Sequence, residues 1–235
     1  MSTETTSASA NPLSRFAPLA LLVVGLIGAA ACTLSFPAVE GLGTKVRLPV
    51  FHGAMTWVNL AAFSFMGLLA VVYLVSKRTD AYRLEEAVRY VAVGVWLVGS
   101  GLGLMAALNT WDFTGSKASP LAVAAADPRL VAQFWIVMLA LGVLALGLLL
   151  DDRRWLAAAD LGFVAIMWVV LMQAVLGPGR ALHPDSPVMN SDEIIIKALF
   201  FGIVGSLAVA FAGGVWLVLR LRRGAHERWG HDSAE

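Results

Sequence analysis

Cysteine is nearly absent: one in 235 residues, which cannot close an internal disulfide, so neither a stapled scaffold nor a redox compartment is indicated. Charge is scarce as well. Asp, Glu, Lys and Arg make up 14% of the chain, against roughly a quarter in soluble domains. Neither sign is in excess, since 17 basic and 16 acidic residues leave a net charge of +1, which argues against a basic-patch nucleic-acid binder. A disordered chain and a collagen-like fibre are excluded by the same composition. What the chain has instead is apolar side chains, 59% of the total, with a mean hydropathy of +0.77. That balance belongs to an integral membrane protein. The length suits one domain of several spanning helices and leaves little for a soluble domain.

Residues 1–15 are small and polar and read as a disordered tail. From Phe16 to about Pro37 the chain is apolar for the roughly 20 residues that cross a hydrocarbon core. A signal peptide competes here, because the run ends in small residues around Ala31 and Cys32. The leader holds Glu4 and a single basic residue, Arg15, and the run is long, so an uncleaved first helix is expected. Five more apolar runs follow, at about 50–76, 88–108, 130–150, 156–177 and 194–219. They do not alternate every second residue, which indicates helices rather than barrel strands.

The expected fold is therefore all-α: an integral membrane protein of six transmembrane helices spanning 16–220. Its outer loops fall at 38–49, 109–129 and 178–193, short charged inner links at 77–87 and 151–155, and a polar tail at 221–235. With both termini cytoplasmic, eleven Lys and Arg fall inside and six outside, the bias of a multi-pass protein of the plasma (inner) membrane. No spanning run is expected to carry a charged residue at mid-membrane, which disfavours proton pumps and ion-coupled transporters. Asn59 and Gln173 are polar at depth and are candidate interhelical hydrogen-bond partners. Glycines at 99, 101 and 103, at 142 and 147, and at 213 and 214 read as close-packing positions. Met55 and Met66 read as core residues, with soft ligation as the alternative.

The outer loops are where chemistry is expected. His226 and His231 lie in the polar tail and read as solvated. His52 opens the second helix just after Pro49, and His183 lies in GPGRALHPDSPVM, at the same membrane face. Each has two readings: a boundary histidine facing headgroups or bonded to a loop carbonyl, or one of two axial ligands of a haem iron, which imidazole suits. No metal-ligand spacing of the paired His/Cys kind accompanies them. The longest outer loop holds Trp111, Asp112, Phe113, Asp127 and Arg129. Its aromatics read as interfacial anchors or as a lip against a flat macrocycle, and Arg129, like Lys45, Arg47 and Arg180, as a solvated charge or a partner for a propionate.

Three segments carry a family resemblance. FHGAMTW (51–57) within LPVFHGAMTWVNLAAFSFM resembles the start of the second helix of the cytochrome c assembly family, the CcmC-like haem-handling membrane proteins. ADPRLV (126–131) resembles the close of that family's tryptophan-rich outer loop, and RALHPDSPVM (180–189) its later histidine segment. The resemblance implies haem b, carried transiently, with His52 and His183 as axial ligands and Trp111, Asp127 and Arg129 in the loop that holds it. It implies delivery of haem for c-type cytochrome maturation rather than independent catalysis, with lipid, a haem chaperone, a cytochrome or other membrane-complex subunits as partners and no nucleic acid. The departures are specific. Ala126 stands where the family has tryptophan, Gly53 where it has proline, and GSKASPLAVAAA interrupts the loop after NTWD. Two alternatives stay open: a haem-bearing anchor or electron-transfer subunit of a respiratory complex, and a permease-like transporter component.

Overall fold

The computed structural model describes the backbone of residues 12–177 and 188–232, and side chains from 16 to 222 within them. Helices α1 (Pro12–Leu34), α2 (Arg47–Ser76), α3 (Thr79–Thr110), α5 (Pro128–Leu149), α6 (Arg153–Leu176) and α7 (Ile194–Asp232) follow in order, with a one-and-a-half-turn helix, α4 (Pro120–Ala125), between α3 and α5. No strand forms among the described residues, and the six long helices are all long and apolar enough to cross a membrane. Only 17% of the apolar window of α1 and 22% of those of α5 and α7 are buried within the chain. Leu68, Val75, Leu148, Leu149 and Trp155 all point outward. A surface this apolar is lipid-facing, because each helix satisfies its own backbone and hydrocarbon accepts the side chains. The protein is an all-α, six-span membrane protein.

Helix α2 is central and touches α3, α6 and α7, while α5 pairs with α6 and α1 packs chiefly on α7. Phe63 of α2 meets Trp96 of α3 and Phe163 of α6 edge-on, at centroid separations of 5.8 and 4.9 Å. Met66 and Met167 fill the space around them, and Met55 is buried one layer away, as expected of core methionines. Near the α1–α2 link, Phe36 is buried and its carbonyl accepts from Arg47 Nε at 3.1 Å, which ties that link to the start of α2.

Helices α1 and α7 run antiparallel through glycine contacts. A Cβ on Gly213 would fall 2.6 Å from Leu22 N and 2.7 Å from Pro18 O, and one on Gly25 would meet the Ser206 and Ala210 backbone. These are backbone atoms that cannot swing aside, so Gly213→Ala is expected to cost about 1–3 kcal/mol by forcing the helices apart. Gly205→Ala, with nothing within 4 Å of the added carbon, is the control and should stay within about 0.5 kcal/mol. Denaturation midpoints in detergent compare the two. Gly99 and Gly103 face α2 as expected, whereas nothing lies within 4 Å of a Cβ on Gly101 or Gly142.

The antiparallel pairings put the start of α1, the α2–α3 turn, the α5–α6 link and the far part of α7 at one end of the bundle, here the terminal end. The opposite, loop end carries 35–46, 111–127 and, of the α6–α7 connection, Gly177 and 188–193. Three boundaries differ from the sequence reading. The expected inner link 77–87 is two residues, Lys77 and Arg78, with Lys77 in the left-handed region at φ 58° and its N–H bonded to Tyr73 O. Helix α3 then starts at Thr79, so Asp80, Arg83, Glu85 and Glu86 are helical. Helix α7 continues past 220 to Asp232, where a tail had been expected. The expected tail 1–15 lies largely outside the described residues, and so do the side chains of His226 and His231.

Candidate functional site

At the loop end, His52 sits in the second turn of α2. Its Nδ1 is 3.0 Å from the carbonyl oxygen of Gly99 on α3, and its ring lies on Gly103, where an added Cβ would come within 2.6 Å of Cε1. A carbonyl only accepts, so Nδ1 carries the proton, and in the neutral ring the lone pair is at Nε2. Gly99 and Gly103 are one turn apart: Gly99 supplies the carbonyl, and the missing side chain of Gly103 leaves the space that admits the imidazole. Pinning one ring nitrogen to a carbonyl is how ligating histidines are oriented, and it serves equally to join two helices.

The loop between α3 and α5 is built from capping chemistry. Trp111 caps the C-terminus of α3 and leans toward Phe113 at 6.4 Å between centroids. Asp112 Oδ1 accepts from Thr114 N at 2.8 Å, and Gly115 turns the chain at φ 82°. Bonds from the Thr114 hydroxyl and N–H hold the Asp112 carboxyl below the ordinary aspartate value, so it is charged at neutral pH. Ser119 caps α4 and Asp127 caps α5, each followed by proline in the first helical turn. Asp127 Oδ1 accepts from Arg129 N at 2.9 Å, and the residue is 2% exposed. The DPRL segment is thus, locally, a helix start.

This loop encloses a cleft of about 570 Å³ whose walls include Asp112, Phe113, Thr114, Val123, Ala126 and Asp127. The cleft unites Asp127 with Asp112 but takes in neither His52, Trp111 nor Arg129. Among the described residues no basic side chain lines it. A haem propionate would meet carboxylates on these walls, so the described lining does not fit the charged edge of a haem. His183 and Arg180 lie outside the described residues.

The terminal end holds what the hydropathy reading missed. Arg89 of α3 and Asp160 of α6 are 2% and 0% exposed, and Arg89 Nη1 donates to Asp160 Oδ2 at 2.7 Å. Arg89 Nη2 lies 3.8 Å from Glu86 Oε1, and Glu86 also pairs with Arg222 of α7. Glu85 is fully buried beside them. Asp160 lies seven residues into α6, roughly 10 Å along its axis. Charged residues therefore do enter the spanning helices, contrary to the sequence expectation. The i, i+3 spacing of Glu86 and Arg89 was the available signal. Gln173 proves exposed, and buried Asn59 has no hydrogen-bond partner among the described residues, so neither makes the interhelical bond expected of it. No family model and no curated protein matches this chain.

Proposed function

We propose that this protein binds haem b at the loop end of the bundle, with His52 as one axial ligand and His183 as the other. One observation supports the reading most: the His52 Nδ1 contact with the Gly99 carbonyl selects the tautomer whose Nε2 can ligate iron. The resemblance of residues 51–57, 126–131 and 180–189 to CcmC-like proteins points the same way. Bound haem would supply an iron centre, which the imidazoles of His52 and His183 would hold. His52 orients and holds; Gly99 and Gly103 keep its ring from rotating; Trp111 and Arg129 belong to the loop on the same face. Presentation of haem for c-type cytochrome maturation, from the outer face of a plasma membrane with cytoplasmic termini, completes the reading.

The test is a visible spectrum and pyridine haemochrome assay on detergent-purified protein expressed with haem supply. Near-stoichiometric low-spin haem b is expected. Arg129→Gln should weaken retention more than Lys117→Gln if Arg129 pairs with a propionate. Absence of haem even after reconstitution would overturn the proposal. A permease-like reading has one observation in its favour, the buried charges of α3 and α6, which such transporters use at depth.

A further inference from the structure

Glu85 and Asp160 present a deficit that the rest of the cluster does not fill. Three carboxylates, Glu85, Glu86 and Asp160, face two guanidinium groups, Arg89 and Arg222. Arg89 is committed to Asp160 Oδ2 and Glu86, and Arg222 to Glu86. Both oxygens of Glu85 and Oδ1 of Asp160 are buried with no hydrogen-bond donor among the described residues. The two carboxyls nevertheless lie within interacting range of one another across α3 and α6. Among the described residues, the other titratable or charged groups around them are Tyr82 on α3, which interacts with Arg89, Tyr90 on α3, whose ring lies under Arg89 and Arg222, Tyr73 on α2, whose ring centroid is 5.1 Å from that of Tyr82, and Arg153 on α6, over the Tyr82 ring at 5.6 Å. Two facing acceptors without a donor are repulsive in a dry interior, and an isolated carboxylate there is among the costliest groups to bury.

We propose that Glu85 and Asp160 form a proton-binding site within the membrane domain, in which a single proton held between a Glu85 oxygen and Asp160 Oδ1 supplies both the missing donor and the missing charge. The proton converts one acceptor into an O–H that donates across the helix seam. Arg89 remains paired with Asp160 Oδ2 throughout, so the site gains and loses its proton without dissolving the ion pair. It lies toward the terminal end, whereas His52 lies at the loop end, and it does not depend on haem binding.

Infrared difference spectroscopy on the full chain in lipid nanodiscs tests this directly. A protonated-carboxyl C=O band that shifts on transfer to D2O is expected in the unmodified protein and should be lost in Glu85→Gln. The glutamine amide can donate to Asp160 Oδ1 in the proton's place, so that variant should keep its denaturation midpoint. Should it fail to fold, Glu85→Asp serves as the second variant, expected to retain the band at a shifted frequency. A sodium ion filling the same deficit would give no band and a midpoint that rises with sodium but not with choline. That result overturns the proposal, as does a band unchanged in Glu85→Gln.

Discussion

Replacing Arg89 by leucine is expected to lower the unfolding free energy by about 3–5 kcal/mol, the scale at which a buried ion pair loses one partner. Among the described residues the guanidinium is the only donor to Asp160 Oδ2, 2.7 Å away, and it also approaches Glu86. Without it, Asp160 is left 0% exposed beside Glu85 with no counter-charge at its own oxygens. The cost lies in the orphaned acid rather than in the lost attraction. The double variant Arg89→Leu/Asp160→Leu should therefore be less destabilised than Arg89→Leu alone, because it removes the stranded charge as well. Equilibrium unfolding in mixed detergent micelles reads the unmodified protein, Arg89→Leu, Asp160→Leu and the double variant, and strictly additive losses would show that the pair does not interact as described.

His52→Ala should abolish most haem retention and the low-spin spectrum, with His183→Ala as its counterpart. An unchanged low-spin spectrum in both variants would sink the axial assignment. Gly103→Ala is the subtler companion. Its added carbon would fall 2.6 Å from His52 Cε1 and 2.9 Å from Nε2, so the ring must rotate or α2 must shift. Loss of an orienting contact of this kind typically weakens metal binding about 10- to 100-fold. Gly101→Ala, one residue pair away with open space at the same carbon, should leave retention unchanged. Comparable losses in the two glycine variants would mean that α3 is responding as a whole rather than through His52.

The spans were legible because a spanning helix is announced by one quantity, the apolar length of a run. The hydrophobic part of α3 was read at 88–108, but hydropathy treats Asp80, Arg83, Glu85 and Glu86 as the end of a helix. They continue it, because three helices bring compensating charges to Glu86, Arg89 and Asp160. Such compensation is a tertiary fact. Similarly, His52 could be placed at the loop end from its position in α2, yet its bond to Gly99 joins residues 47 apart and depends on how α2 and α3 register. The loop from Trp111 to Arg129 was readable as residue types, and its capping roles follow from Ser–Pro and Asp–Pro pairs that precede α4 and α5. Its acidic cleft was not, since Asp112 and Asp127 converge only once α4 has folded between them.

The pairing of α1 with α7 has a consequence for how the protein is made. Some 160 residues separate these two helices in the chain, and α1 has little other than α7 to pack against. At roughly 5–20 residues per second, on the order of 10–40 s separates their synthesis. Throughout that interval α1 must wait in the bilayer, its glycine face at Gly25 and Gly28 uncovered. Assembly of this bundle is thus completed only after α7 has been made, and a nascent chain stalled before it would offer that bare face to any other helix in reach.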